Sequence, residues 1–201
     1  MLSVGRVYLI EVVSQLVLVA VVILALYSFH RHNRRSYLLH WARSWVALGV
    51  YILGAVAAAQ LARRGLIHPV GLLGLSLVSM AAGYLHIVWL LLGTWEIGSG
   101  RSAPARFTRL LLALAVAVAA FGVVLQTAGV GSDRSFLGVS VRSLLAAVAY
   151  GAAAMAVLSS AGPRPATFGR RLMGFALVGY AANETAYFGL TVRAGPCLLY
   201  T

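Results

Sequence analysis

Lysine is absent from this chain, acidic residues number four, cysteine occurs once and proline five times. Each shortage closes off a class of function. A single cysteine, Cys197, rules out an internal disulfide framework and a thiolate metal site within one chain. Glu11, Glu96, Asp133 and Glu184 are the whole carboxylate inventory, so paired-carboxylate acid–base chemistry has almost no material to work with. There is no nucleotide-binding loop, no Gly-rich phosphate cradle and no metalloprotease motif. No serine or threonine stands beside a base and an orienting group, so no catalytic residue is assigned. Pro69, Pro104, Pro163, Pro165 and Pro196 fall at helix starts or in loops. None interrupts an apolar run, which weighs against a secondary transporter built on broken helices.

What is abundant is apolar sequence. Of 201 residues 61% are hydrophobic and 10% charged, against about 25% charged in a soluble domain; mean hydropathy is +0.91. Runs of roughly 20 apolar residues read as membrane-spanning helices. Six are expected, over residues 7–29, 37–62, 69–95, 107–128, 136–160 and 168–192, forming one all-α polytopic transmembrane bundle within residues 1–196. The first run is too long for a signal-peptide core and carries Glu11 and Gln15. Ser36 is expected to cap the second helix and Pro69 to open the third. Short connections predict that sequential helices are antiparallel neighbours.

All sixteen basic residues are arginine, and the net charge is +12. Nearly all are spread through short loops and draw no single basic face, so nucleic acid is not an expected partner. Their distribution instead fixes topology. Arg31, Arg34 and Arg35 occupy the first loop, Arg101, Arg106 and Arg109 the third, and Arg164, Arg170 and Arg171 the fifth. The other side holds Arg6, Arg63, Arg64, Arg134 and Arg193. Nine against five places the odd-numbered loops in the cytoplasm and the N-terminus outside, in a bacterial inner membrane. Tyr37, Trp41, Trp89 and Trp95 are expected to form an aromatic belt at the inner interface. Gly49, Gly54, Ala147, Gly151, Gly174 and Gly179 are candidates for close helix approach.

Ionisable groups inside spans are the first functional candidates. Glu11, Arg142 and Glu184, the last beside Asn183, fall at similar depth in the outer half of their helices. Two readings stand: an outer-leaflet pocket that senses a ligand, a proton or a lipid, or a structural ion pair with snorkelling neighbours. His40 and His86 lie on adjacent helices, and axial ligation of a b-type haem is one reading of them, against plain helix–helix polar contacts. Beyond that haem alternative no cofactor is implied. His30, His32 and His68 read as solvated loop residues.

The basic loop after Phe29, then Tyr37-Leu38, then Trp41 and Trp45 one turn apart, through Ala47-Leu48-Gly49, resembles the first helix–loop–helix junction of a broad group: the polytopic N-terminal sensor regions of bacterial histidine kinases and diguanylate cyclases. Leu90 through Glu96, followed by the loop from Arg101 to Arg109, is similar to the end of their third helix. The resemblance implies an input module of seven or eight helices, homodimeric, joined to a cytoplasmic output domain. The last five residues, Cys197 to Thr201, resemble one reading frame of the transposon-end adaptor of sequencing libraries, so the native chain is expected to continue past about Pro196. The reading adopted is thus a sensory input module without enzymatic activity of its own in this segment. The alternatives are a small transporter or permease-like protein and a haem-binding membrane protein.

Overall fold

The computed structural model describes the backbone of residues 4–128, 133–159 and 168–194, and the side chains of residues 10, 12–124, 140–159, 171 and 173–189. All six expected helices form: α1 (Val4–Asn33), α2 (Ser36–Arg63), α3 (Pro69–Ser99), α4 (Ala105–Ala128), α5 (Asp133–Ser159) and α6 (Phe168–Ala194). Five helices, α1 to α5, are long and apolar enough among the described residues to cross a membrane. The sixth is the most polar of the set, with Asn183, Glu184 and Thr185 in succession. The adaptor-like tail at 197–201 and Arg164 lie outside the described residues.

Helix ends follow local chemistry. Pro69 opens α3, and the cap is His68, whose ring accepts the Val70 N–H at 3.4 Å. His68 is thus an exposed loop residue, as expected, that also caps α3. α3 runs past residue 95 to Ser99 and stops where Gly100 turns left-handed (φ 66), its N–H donating to the Glu96 carbonyl; glycine reaches that conformation without a Cβ penalty. Ser36 does not cap α2. Arg35 holds that position, with no side-chain cap bond. The corner is closed differently: Arg34 turns left-handed (φ 49) and donates to the His30 carbonyl at 2.7 Å, while the His30 ring donates to the Arg35 carbonyl at 2.8 Å. His30 is therefore a latch and not merely solvated.

The surface carries large apolar side chains along every span, including Leu24, Leu53, Leu110, Phe121, Met155 and Phe175. An apolar exterior of this extent suits a lipid solvent, so the chain is a membrane protein in contact with the bilayer. α3 is the hub. It packs on α2, α4 and α5, while α1 leans on α2 and α6 on α5. The expected pairing of every sequential helix fails at α4 and α5, which barely touch. α5 turns its small-residue face, Ala146, Ala149 and Ala153, inward with Tyr150, and seats itself against α3 instead.

The α2–α3 hairpin shows why small residues decide close approach. Trp41 is 1% exposed and donates its indole N–H to the Leu90 carbonyl at 3.3 Å. It belongs to the core and not to the interfacial belt, whereas Trp95 at 55% exposure fits a belt position. The indole occupies the space that a Cβ on Gly93 would need. Gly54 is packed on Ser79 and Gly174 on Leu158, as expected for close approach, but Gly151 and Gly179 face open space. Gly93→Ala should therefore destabilise the bundle by about 1–3 kcal/mol, the usual range for overpacking, while Gly151→Ala should be neutral or mildly stabilising. Helicity followed through a denaturing-detergent titration checks the contrast; equal midpoints would count against it.

Candidate functional site

Lipid-facing spans are apolar on both sides, so the informative side chains are the polar ones turned inward. Three groups lie along the interior between α2, α3, α5 and α6. At one end, Arg142 of α5 is 4% exposed and reaches Glu184 of α6, with Nη2 to Oε1 at 3.5 Å. Its guanidinium carbon sits 4.1 Å from the centre of the Tyr51 ring, a cation–π contact in a desolvated setting. The arginine stem and the Tyr51 ring both cross Gly83, where an added Cβ would lie 3.0 Å from each. Nε and Nη1 of Arg142 are buried and have no hydrogen-bond partner among the described residues.

One layer further along is His86, fully buried on α3. The Ser44 hydroxyl donates its hydrogen to the His86 carbonyl at 2.9 Å. His86 Nδ1 lies 2.8 Å from Ser44 Oγ and 3.0 Å from the Ser44 carbonyl, so in the neutral ring this nitrogen carries the proton and donates. Nε2 is then the acceptor and takes the Tyr150 hydroxyl proton at 2.8 Å. Tyr150 stacks on Tyr180 with centroids 5.2 Å apart, and Tyr180 meets Trp45 edge-on at 5.2 Å. Each buried polar atom of the histidine has a partner, as a low-dielectric interior requires.

At the opposite end His40 Nε2 meets Glu96 Oε1 at 3.2 Å, with Glu96 7% exposed. The imidazole stacks on Trp89 at 5.3 Å, and the Arg43 guanidinium lies 5.0 Å from the same ring. This end also carries the arginine-rich turns. Arg31, Arg34, Arg35, Arg101, Arg106, Arg109 and Arg171 are all exposed. Arg170 lies in the first turn of α6, its side chain outside the described set.

A cavity of about 330 Å³ lies beside the Arg142 group. Val12 and Gln15 line it from α1, Tyr51 and Ala55 from α2, and Asn183 and Glu184 from α6. The structure thus brings together three of the four residues singled out for sensing: Arg142, Asn183 and Glu184. Glu11 precedes Val12 on α1, and its side chain lies outside the described residues. His40 and His86 bond to different partners, each through its own Nε2. Among the described residues no group of three or more His, Cys, Asp or Glu is placed to hold a metal ion.

Sequence reasoning left out Ser44, Tyr51, Glu96 and Tyr150. A signal for two of them, Ser44 and Tyr51, was present. An antiparallel hairpin with a short turn sets Tyr51 opposite Ser79, Ser44 opposite His86 and Trp41 opposite Leu90, so polar residues facing one another across it follow from the turn alone. Tyr150 had no comparable signal, because α5 meets α3 only through the tertiary fold. No protein-family model, curated protein or solved structure matches this chain.

Proposed function

We propose that this chain is the sensory input module of a bacterial signal-transduction protein, embedded in the cytoplasmic membrane with its N-terminus outside. The stimulus acts at the Arg142–Glu184 cavity in the outer half. The response is a change in helix packing that biases a cytoplasmic output domain, in a homodimer, as the resemblance to kinase and cyclase sensor regions implies. The observation that carries this reading is the succession of buried polar groups down one interior seam: Arg142–Glu184, then Tyr150–His86–Ser44, then His40–Glu96 at the arginine-rich end. Packed polar networks of this kind adopt discrete arrangements, and a ligand that favours one arrangement shifts the population. No catalytic step is assigned to the segment.

The test has two arms. Periplasmic-reporter fusions after Gly65 should be active and fusions after Ser102 inactive; the reverse pattern removes the orientation. The genomic frame beyond codon 196 should encode a further helix and then a kinase or cyclase domain. A stop codon there would remove the output and with it the reading.

A further inference from the structure

We infer that the Arg142–Glu184 cavity binds the zwitterionic head group of a membrane amphiphile, with an anionic oxygen on Arg142 and an ammonium on Glu184. The inference deepens the proposed input site by naming its ligand class.

The first argument is the state of Arg142. A charge-assisted N–H···O contact closes to about 2.7–2.9 Å, yet the Glu184 contact is 3.5 Å and two further guanidinium nitrogens have no partner among the described residues. Buried donors in that condition call for an acceptor. An anion alone would meet the Glu184 carboxylate in the same wall. A head group carrying both charges complements both residues and leaves neither uncompensated.

The second argument is the shape of the site. Its α1 and α2 walls are largely apolar, with Val12, Leu18, Leu48 and Val56 facing the polar α5 and α6 side. By close backbone approach α1 packs on α2 and α6 on α5, with none between α1 and α6 among the described residues, although Tyr180 of α6 reaches Trp45 of α2. The cavity is lined from both α1 and α6 and lies in the gap between them, the side on which we place its opening to lipid. Its 330 Å³, at about 30 Å³ per water-sized group, holds roughly ten such groups. That suits a phosphoethanolamine-type head with its tails left in the bilayer.

Native mass spectrometry of the full chain, released from nanodiscs of equal parts dioleoyl phosphatidylethanolamine and dioleoyl phosphatidylglycerol, tests this. The ethanolamine lipid should be retained about tenfold over the glycerol lipid, equivalent to roughly 1.4 kcal/mol. Glu184→Gln should bring that ratio close to one. Arg142→Gln should lower retention of both lipids. Ala55→Phe, which fills the cavity and leaves both charges in place, should abolish the preference with helicity unchanged. A preference for phosphatidylglycerol, or an unchanged ratio in both Glu184→Gln and Ala55→Phe, overturns the inference. So does equal competition by tail-free glycerophosphoethanolamine, which would make the ligand a soluble zwitterion. Binding is read without any signalling output. Loss of binding with relay variants still altering output sinks the ligand and leaves the input reading; binding with an indifferent output does the reverse.

Discussion

Glu184→Leu should lower the unfolding free energy of the bundle by about 3 kcal/mol, and adding Arg142→Met should restore most of it. Breaking a buried ion pair on one side typically costs about 3–5 kcal/mol, because the remaining charge is stranded, whereas replacing both partners by apolar groups is often neutral. The low end of that range applies here. Tyr51 keeps its hold on the guanidinium at 4.1 Å after the carboxylate is gone, and Glu184 is only partly buried. The asymmetry between the two single variants is the sharper prediction. Arg142→Met strands a carboxylate that retains access to solvent or head groups and should destabilise less than Glu184→Leu, although it also forfeits up to about 2 kcal/mol of cation–π contact. Midpoints of denaturing-detergent titrations for the two singles and the double measure the coupling. A double variant as unstable as the sum of the singles would mean that the pair is not coupled, and that Arg142 is held by the Tyr51 and Gly83 packing alone.

The same pair shows how far sequence carries in a membrane protein. Hydropathy located every helix because the bilayer fixes span length, and depth along the spans put Arg142 and Glu184 at one level. Rotation about each helix axis was not legible. In water an amphipathic stripe marks the inward face, but here Val46, Val50 and Leu53 face lipid while Leu48 and Trp41 face the core, all of them apolar. That is why Trp41 reads as an interfacial tryptophan and is in fact the residue that Gly93 accommodates. Glu96 was overlooked for a related reason. It lies near a span end, where a carboxylate normally snorkels, yet α3 continues one turn further and holds it inside against His40. Small and polar residues such as Ser44, Ser79, Gly83 and Gly93 are the inward markers in this chain, and they become readable once the hairpin register is applied.

The second large effect belongs to His86 and Tyr150. Tyr150→Phe deprives the fully buried Nε2 of its only described donor, and an unsatisfied buried acceptor costs about 1–3 kcal/mol. His86→Leu strands the Tyr150 hydroxyl by a similar amount and also removes the edge contact with Trp45 at 6.2 Å, for a total of about 2–4 kcal/mol. Ser44 is spared, since its hydroxyl donates to the main-chain carbonyl of residue 86, which any side chain leaves in place. In the double variant neither polar group is stranded, so stability should return to within about 1 kcal/mol of the parent. This separates a scaffold from a relay. A purely structural triad, once repacked, restores stability and stimulus response together. A relay restores stability alone, because the Tyr150–His86 bond that joins α5 to α3 is gone from every arrangement of the bundle. On the proposed input-module reading the second result is expected when the chain is joined to its proposed output domain: a double variant that denatures like the parent and no longer responds. A double variant that responds normally would remove the seam as the route of coupling and leave the Arg142 cavity as a binding site without a connection to the arginine-rich end.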